Sequence, residues 1–232
     1  MGKRDVVIAE ATAILRESGP TALTSVTVAA RLCVTQPAIY RHIRDMDELT
    51  TLASNALIDE LTLVMLEAVT VPETTWGDGT HVAQFAERLV GLIEQHEQAF
   101  STIDRWRHDG SELGHGIRTL LGASAALVAG ELETAWRADF DRHDQLSDSA
   151  QAAQLAHAKL ILDDVMAIAR SVHLNTASQR RQIARTFELR LFAGWCGYIQ
   201  EMNSRHHCDL PLVGAIPMSS PGGSSPTGAL AG

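Results

Sequence analysis

Apolar residues recur at spacings of three and four along most of this chain, and the places where the rhythm stops divide it into helices. The first run, about Lys3 to Ser18, ends at Gly19-Pro20, a glycine in the C-cap region followed by a proline that cannot continue a helix. Two short helices joined by a tight turn occupy residues 24–44. A long helix follows from Asp47 to about Val69, with Leu49, Leu52, Ala56, Leu57, Leu61 and Val64 on one face. Residues 71–80, with Pro72, Gly77 and Gly79, break the pattern as a loop. Val82, Phe85, Leu89, Leu92 and Ile93 resume it, Phe100, Ile103 and Trp106 mark a shorter helix ending near Asp109-Gly110, and a longer apolar stretch runs from about Glu112 to Phe140. Of the last two helices, one carries Leu155, Ala158, Leu162, Val165, Ala169 and Val172, the other Ile183, Phe187, Leu191, Trp195, Tyr198 and Met202. Each has further apolar residues on a second side, and a helix apolar on two sides needs two partners. Few β-branched alternations and no internal repeat leave an all-α chain as the expected fold. From about Asp209 prolines, glycines and serines take over, which predicts a disordered tail over 209–232.

The two short helices carry the most specific pattern. Thr24 or Ser25 N-caps the first, whose Val26, Ala29, Ala30 and Leu32 supply an apolar face, and the turn falls at Cys33 and Val34. Thr35 N-caps the second, with Pro37 in its first turn, where a missing backbone N–H does no harm. That helix exposes Gln36, Tyr40, Arg41 and His42, turns Ile39 and Ile43 inward at i and i+4, and has in Ala38 a residue small enough to lie close to a base. Asp45 with Glu48 three residues on resembles a capping box that starts the next helix. Two helices in this relation, the second polar and basic, are how a protein offers side chains to a DNA groove.

Charge sharpens the division. The 232 residues carry 19 Lys and Arg against 28 Asp and Glu, a net charge of −9, which argues against general affinity for nucleic acid. Residues 1–44 nevertheless hold six basic side chains (Lys3, Arg4, Arg16, Arg31, Arg41, Arg44) against three acidic ones (Asp5, Glu10, Glu17). A mildly basic head on an acidic body suits a protein that meets phosphates at one end.

The run from Val28 to Leu49 resembles the N-terminal DNA-binding segment of the tetracycline-repressor (TetR) family. The resemblance implies a three-helix helix-turn-helix head over residues 1–46 and a helical ligand-binding and dimerisation domain over 47–208. It also implies that Thr35, Gln36, Pro37, Ala38 and Arg41 face base edges while Tyr40 and His42 hold phosphates, with Ser25, Thr27, Lys3 and Arg4 as further phosphate contacts. Arg41 suits a bidentate pair with guanine and Gln36 one with adenine. In the resembled family the last helices pair across a two-fold axis, so Leu155, Leu162, Phe187, Leu191, Trp195 and Tyr198 are candidates for a homodimer interface; the alternative is that both faces are buried within one subunit. Such a dimer reads a near-palindromic site on double-stranded DNA. A small-molecule effector pocket is also implied. Phe85, Phe100, Ile103, Trp106, Trp136 and Met166 are bulky enough to line it, and core packing explains each equally well. The implied action is repression relieved when ligand favours a conformation with misplaced recognition helices.

Three residues depart from the family pattern. Cys33 stands where a turn glycine is usual, Ile43 where an aromatic is common, and Met46 where a phosphate-contacting lysine often begins the fourth helix. Cys33 and Met46 sustain a rival reading, a helical ligand-binding or assembly protein with vestigial DNA binding. No nucleophile elbow, phosphate-cradling glycine loop or zinc-helix motif points to an enzyme, and no cofactor is expected. Three cysteines, Cys33, Cys196 and Cys208, do not make a disulfide framework, and His206, His207 and Cys208 are adjacent residues that rarely converge on one metal ion. With no secretory signal and no span long enough for a membrane, the expected location is cytoplasmic.

Overall fold

The computed structural model describes residues 2–70, 79–140, 146–172 and 176–205, and among these it is helical with no strand. The first helix, α1 (Lys3–Ser18), starts where the Asp5 carboxylate accepts the Gly2 N–H at 2.7 Å. It stops at Gly19, whose φ of 84° and ψ of −179° lie outside the range of L side chains, and whose N–H closes back on Ile14 and Leu15 carbonyls. Val7, Ala11, Ile14 and Leu15 bury the inner face of α1 against α4 (Met46–Val69), and the Thr12 hydroxyl on that face donates to the Ile8 carbonyl at 2.9 Å. Between them lie α2 (Ser25–Arg31) and the one-turn α3 (Gln36–Ile39).

The long α4 runs from this N-terminal group into the rest of the chain. Leu49, Leu57 and Leu61 are buried along it as their spacing predicts, joined by Ala53, Met65 and Ala68. It packs on α7 (Glu112–Phe140), where Gly116 leaves room for the tip of Ile58: a Cβ there would stand 2.1 Å from Ile58 Cδ1 and oblige that side chain to turn. The amphipathic α5 (Gly79–Gln95) buries Val82, Phe85, Leu89, Leu92 and Ile93 against α8 (Asp148–Val172) and α9 (Ala177–Arg205). The short α6 (Glu97–Trp106) ties α8 to the first helices. Its Asp104 holds Arg170 at 2.8 Å, its Arg105 donates to the Glu17 carbonyl at 3.2 Å, and its Trp106 ring fills the notch left by Gly19, where a Cβ would come within 2.0 Å of the indole.

One expectation needs correction. In α2 it is Val28 and Ala29, with Leu32, that turn inward, while Val26 is 60% exposed and Ala30 is exposed too. A helix that begins at Ser25 and spans seven residues has room for only one inward stripe, and its phase excludes Val26. In α8 and α9, Leu162, Phe187, Leu191, Trp195 and Tyr198 are buried and Leu155 is half-buried within the single chain. The inward side of α8 faces α5 and α7, and that of α9 faces α5 and α8. What remains outside includes Leu160, 62% exposed, and Leu189.

Among the described residues no helix is long and apolar enough to cross a membrane, and no three His, Cys, Asp or Glu side chains gather as a metal site. The 71–78 part of the expected loop, the His206-His207-Cys208 run and the expected tail lie outside the described residues.

Replacing Gly19 by Ala combines an unfavourable φ with overlap on Trp106. The Gly19→Ala chain should lose on the order of 3 kcal/mol of stability in urea unfolding.

Candidate nucleic-acid interface

The turn between α2 and α3 is built by the backbone. Thr24 caps α2 by accepting the Thr27 N–H at 3.1 Å, and the two hydroxyls are 2.9 Å apart. At the other end the Cys33 N–H returns to the Ala30 carbonyl and the Val34 N–H to the Ala29 carbonyl, the paired bonds of a Schellman termination. Its left-handed residue is Cys33, with φ 54°, at the position where a glycine was expected from the resemblance.

Thr35 stands at the N-cap of α3 as anticipated, but its hydroxyl makes no capping bond; the Ala38 N–H is taken instead by the Thr35 carbonyl at 2.9 Å. This leaves the hydroxyl exposed beside Gln36 and Pro37. The backbone continues in a turn through His42, whose N–H, like that of Ile43, bonds back to the Ile39 carbonyl. Ile39 and Ile43 are buried, and the same turn leaves Tyr40 and Arg41 exposed with Ala38 and His42 half-buried. Ser25 and Thr27 are half-buried at the start of α2, whereas Lys3 and Arg4 are exposed at the start of α1.

The corner leading into α4 is cross-braced. Asp45 accepts the Glu48 N–H at 2.8 Å, while Glu48 reaches back to the Arg44 N–H at 2.5 Å and takes the Arg4 guanidinium at 2.6 Å with its other oxygen. Arg44 in turn places its Nε 2.7 Å from Asp45. The Glu48 N–H, and after it the Arg44 guanidinium, hold the Asp45 carboxyl below its ordinary value. The capping-box expectation therefore holds with one change: Glu48 bonds the N–H preceding the cap residue.

Most of the head's cations are committed to carboxylates. Arg31 pairs with Glu10 at 2.6 Å and Glu17 at 2.8 Å, Arg16 with Glu60, Arg44 with Asp45 and Arg4 with Glu48. Arg31 likewise holds the Glu17 carboxyl below its usual range. Among the described residues, Lys3 and Arg41 have no ion pair. Spacing gave no sign of these pairings, because their partners stand up to 44 positions away.

Of the candidate effector-lining residues, Phe85, Phe100, Ile103, Trp136 and Met166 are buried in the core, and Trp106 packs on Gly19. Of the six, Phe100 borders a cavity of about 280 Å³ beside Asp104, Arg105 and Arg170. A larger cavity of about 430 Å³ opens between α8 and α9, floored by Leu191, Trp195 and Tyr198 and edged by Leu160, His157 and the Asp164–Arg190 ion pair. Asp163, 3.8 Å from Arg107, and Asp164 are thus ion-paired carboxylates, and Arg118 is used in clamping the Arg107 and Asp109 carbonyls.

No protein-family model and no curated protein matches the chain. Solved structures do. A TetR-family transcriptional regulator from Streptomyces coelicolor superposes with a TM-score of 0.55 at 15% identity, covering 89% of each chain. Two further matches are a chain assigned to the TetR-family regulators from Rhodococcus sp. (TM-score 0.47, 15% identity, 86% of this chain and 97% of that one) and a TetR/AcrR-family regulator from Thermobifida fusca (0.39, 19%, 73% and 96%). The first of these identifies the architecture: the chain has the all-helical fold of a TetR-family transcriptional regulator.

Two outcomes follow from the turn and the corner. Cys33→Gly should raise stability by about 1 kcal/mol, read as a shift of the urea midpoint, since only the left-handed strain is removed. A carboxyl held below its ordinary value of 3.8 stabilises the fold above that value, and its contribution is lost as pH falls through the folded-state value. Thermal melts of Asp45→Asn should accordingly fall less steeply than wild type as pH is lowered from 5 to 3.

Proposed function

We propose that this protein is a sequence-specific, DNA-binding transcriptional regulator, non-enzymatic and cytoplasmic, that acts as a homodimer on a near-palindromic operator and is released by a small-molecule effector. The observation that carries this reading is the one-turn α3: anchored by Ile39 and Ile43, it presents Gln36, Tyr40 and Arg41 to solvent within a fold shared with a TetR-family regulator. Residues 1–46 form the DNA-binding head and 47–208 the effector and dimerisation part. Thr35, Gln36, Pro37, Ala38 and Arg41 read base edges, Arg41 as the guanine reader, while Tyr40, His42, Ser25, Thr27 and Lys3 reach phosphates; Arg4, the remaining candidate for a phosphate, is paired with Glu48 in the unbound protein. Free of ion pairs among the described residues, Arg41 can turn its guanidinium to a base without breaking an internal bond.

The outer face of α8 and α9 supports dimerisation. Leu160 and Leu189 are exposed there beside a cavity with an apolar floor, and burying them against a second copy removes that surface from water. The rival reading, a helical ligand-binding or assembly protein with vestigial DNA binding, is favoured by the paired arginines of the head, which leave few cations for phosphate.

Selection of bound sequences from a random DNA pool at two salt concentrations separates the two. An enriched near-palindrome that survives the higher salt supports the regulator; salt-labile binding without a motif supports its rival. On a selected site, Arg41→Ala should cost about 1–3 kcal/mol, read by fluorescence anisotropy, and relax the preference at one base position of each half-site. Leu160→Glu, on an exposed position, should leave the fold intact and shift the chain from dimer to monomer in sedimentation equilibrium.

A further inference from the structure

We propose that Glu48 competes with DNA phosphate for the cationic groups at the α3–α4 corner, holding down the sequence-independent part of DNA binding. The proposal rests on the regulator reading and adds to it a residue that opposes phosphate contact. Its basis is the geometry of one carboxylate. One Glu48 oxygen takes the Arg4 guanidinium at 2.6 Å and the other the Arg44 N–H at 2.5 Å, so the side chain is anchored at the start of α4 rather than swinging in solvent. Anchoring matters because an exposed pair between two free side chains loses its attraction to side-chain entropy, while a fixed carboxylate need immobilise only its partner.

The corner is where a phosphate would be met: Arg44 directly follows the turn that exposes Arg41, and the ion pair brings Arg4, from the start of α1, beside it. With Glu48 on Arg4 and Asp45 on Arg44, both arginines are neutralised. Phosphate contact supplies nearly all of sequence-independent affinity. Base-edge contacts from Gln36 and Arg41 do not pass through these pairs. A carboxylate that withholds phosphate contacts but leaves base contacts alone lowers affinity for every sequence by a similar factor, and leaves a larger share of what remains to the base contacts.

The test uses the full chain and its Glu48→Gln, Arg4→Gln and doubly substituted forms. Each is titrated with a selected operator and with a random duplex of equal length at 50 and 200 mM salt. The amide introduced by Glu48→Gln keeps an oxygen for the Arg44 N–H, and Asp45 is untouched, so the cap survives. Glu48→Gln should bind random DNA more tightly, and its loss of affinity between the two salts should steepen by about tenfold for the two Arg4 side chains of a dimer. Operator affinity should rise by a similar factor, leaving the ratio of operator to random affinity unchanged. Arg4→Gln alone should leave the salt dependence unchanged, and in the double variant the gain should vanish. An unaltered salt dependence in Glu48→Gln overturns the proposal, as does a flatter one in Arg4→Gln alone, because Arg4 would then already be reaching phosphate past Glu48. Absence of binding to either DNA by every form at 50 mM salt removes the regulator reading itself, and this one with it.

Discussion

A helix of one turn does not form by itself in water, because fixing its first residues costs more than its first hydrogen bond returns. The helix that carries Gln36 has four residues. Its shape is therefore imposed from outside, through Ile39 and Ile43, which sink into the same apolar cluster as Val7, Leu15, Val28 and Leu49. Backbone bonds then fix both ends: the Schellman pair at Cys33 and Val34 on one side, the brace of Asp45 and Glu48 on the other. Every exposed side chain from Thr35 to His42 takes its direction from that arrangement. The apolar residues of the head thus determine where its polar ones point.

The ends of most helices were legible in the chain because local residues make them: Gly19 and Pro20 close α1, and Asp45 opens α4. The inward phase of α4 and α5 was legible for the same reason, being written at spacings of three and four. What local pattern does not carry is choice of partner. Leu191 and Trp195 stand on an apolar face that suits a second subunit or the interior of one, and their burial within the chain comes from the placement of α5 and α8. In α2, two turns of helix offered alternative faces of similar apolarity, and Val28 prevailed over Val26. Of the candidate site, the exposure of Gln36, Tyr40 and Arg41 was readable from sequence; the engagement of Arg4 by Glu48 was not, since no rule links residues 44 apart.

Charge counted along the chain also misjudges the head. Six cations against three acids over residues 1–44 suggests a basic surface, yet Glu48 and Glu60 from α4, outside that count, neutralise Arg4 and Arg16. Helix α4 does more than connect. By placing its acids against α1, it limits the electrostatic reach of the surface it supports, in keeping with a chain whose net charge is −9.

The fit of Trp106 into the space over Gly19 links two residues far apart in the chain by shape alone. Neither can vary on its own: a larger residue at 19 needs a smaller one at 106, and a smaller one at 106 opens a void under the turn. Exchanging the first helices for those of a relative would separate the two halves of this joint. A working chimera must carry positions 19 and 106 from the same parent, so the natural cut for swapping specificities here does not fall cleanly between α3 and α4.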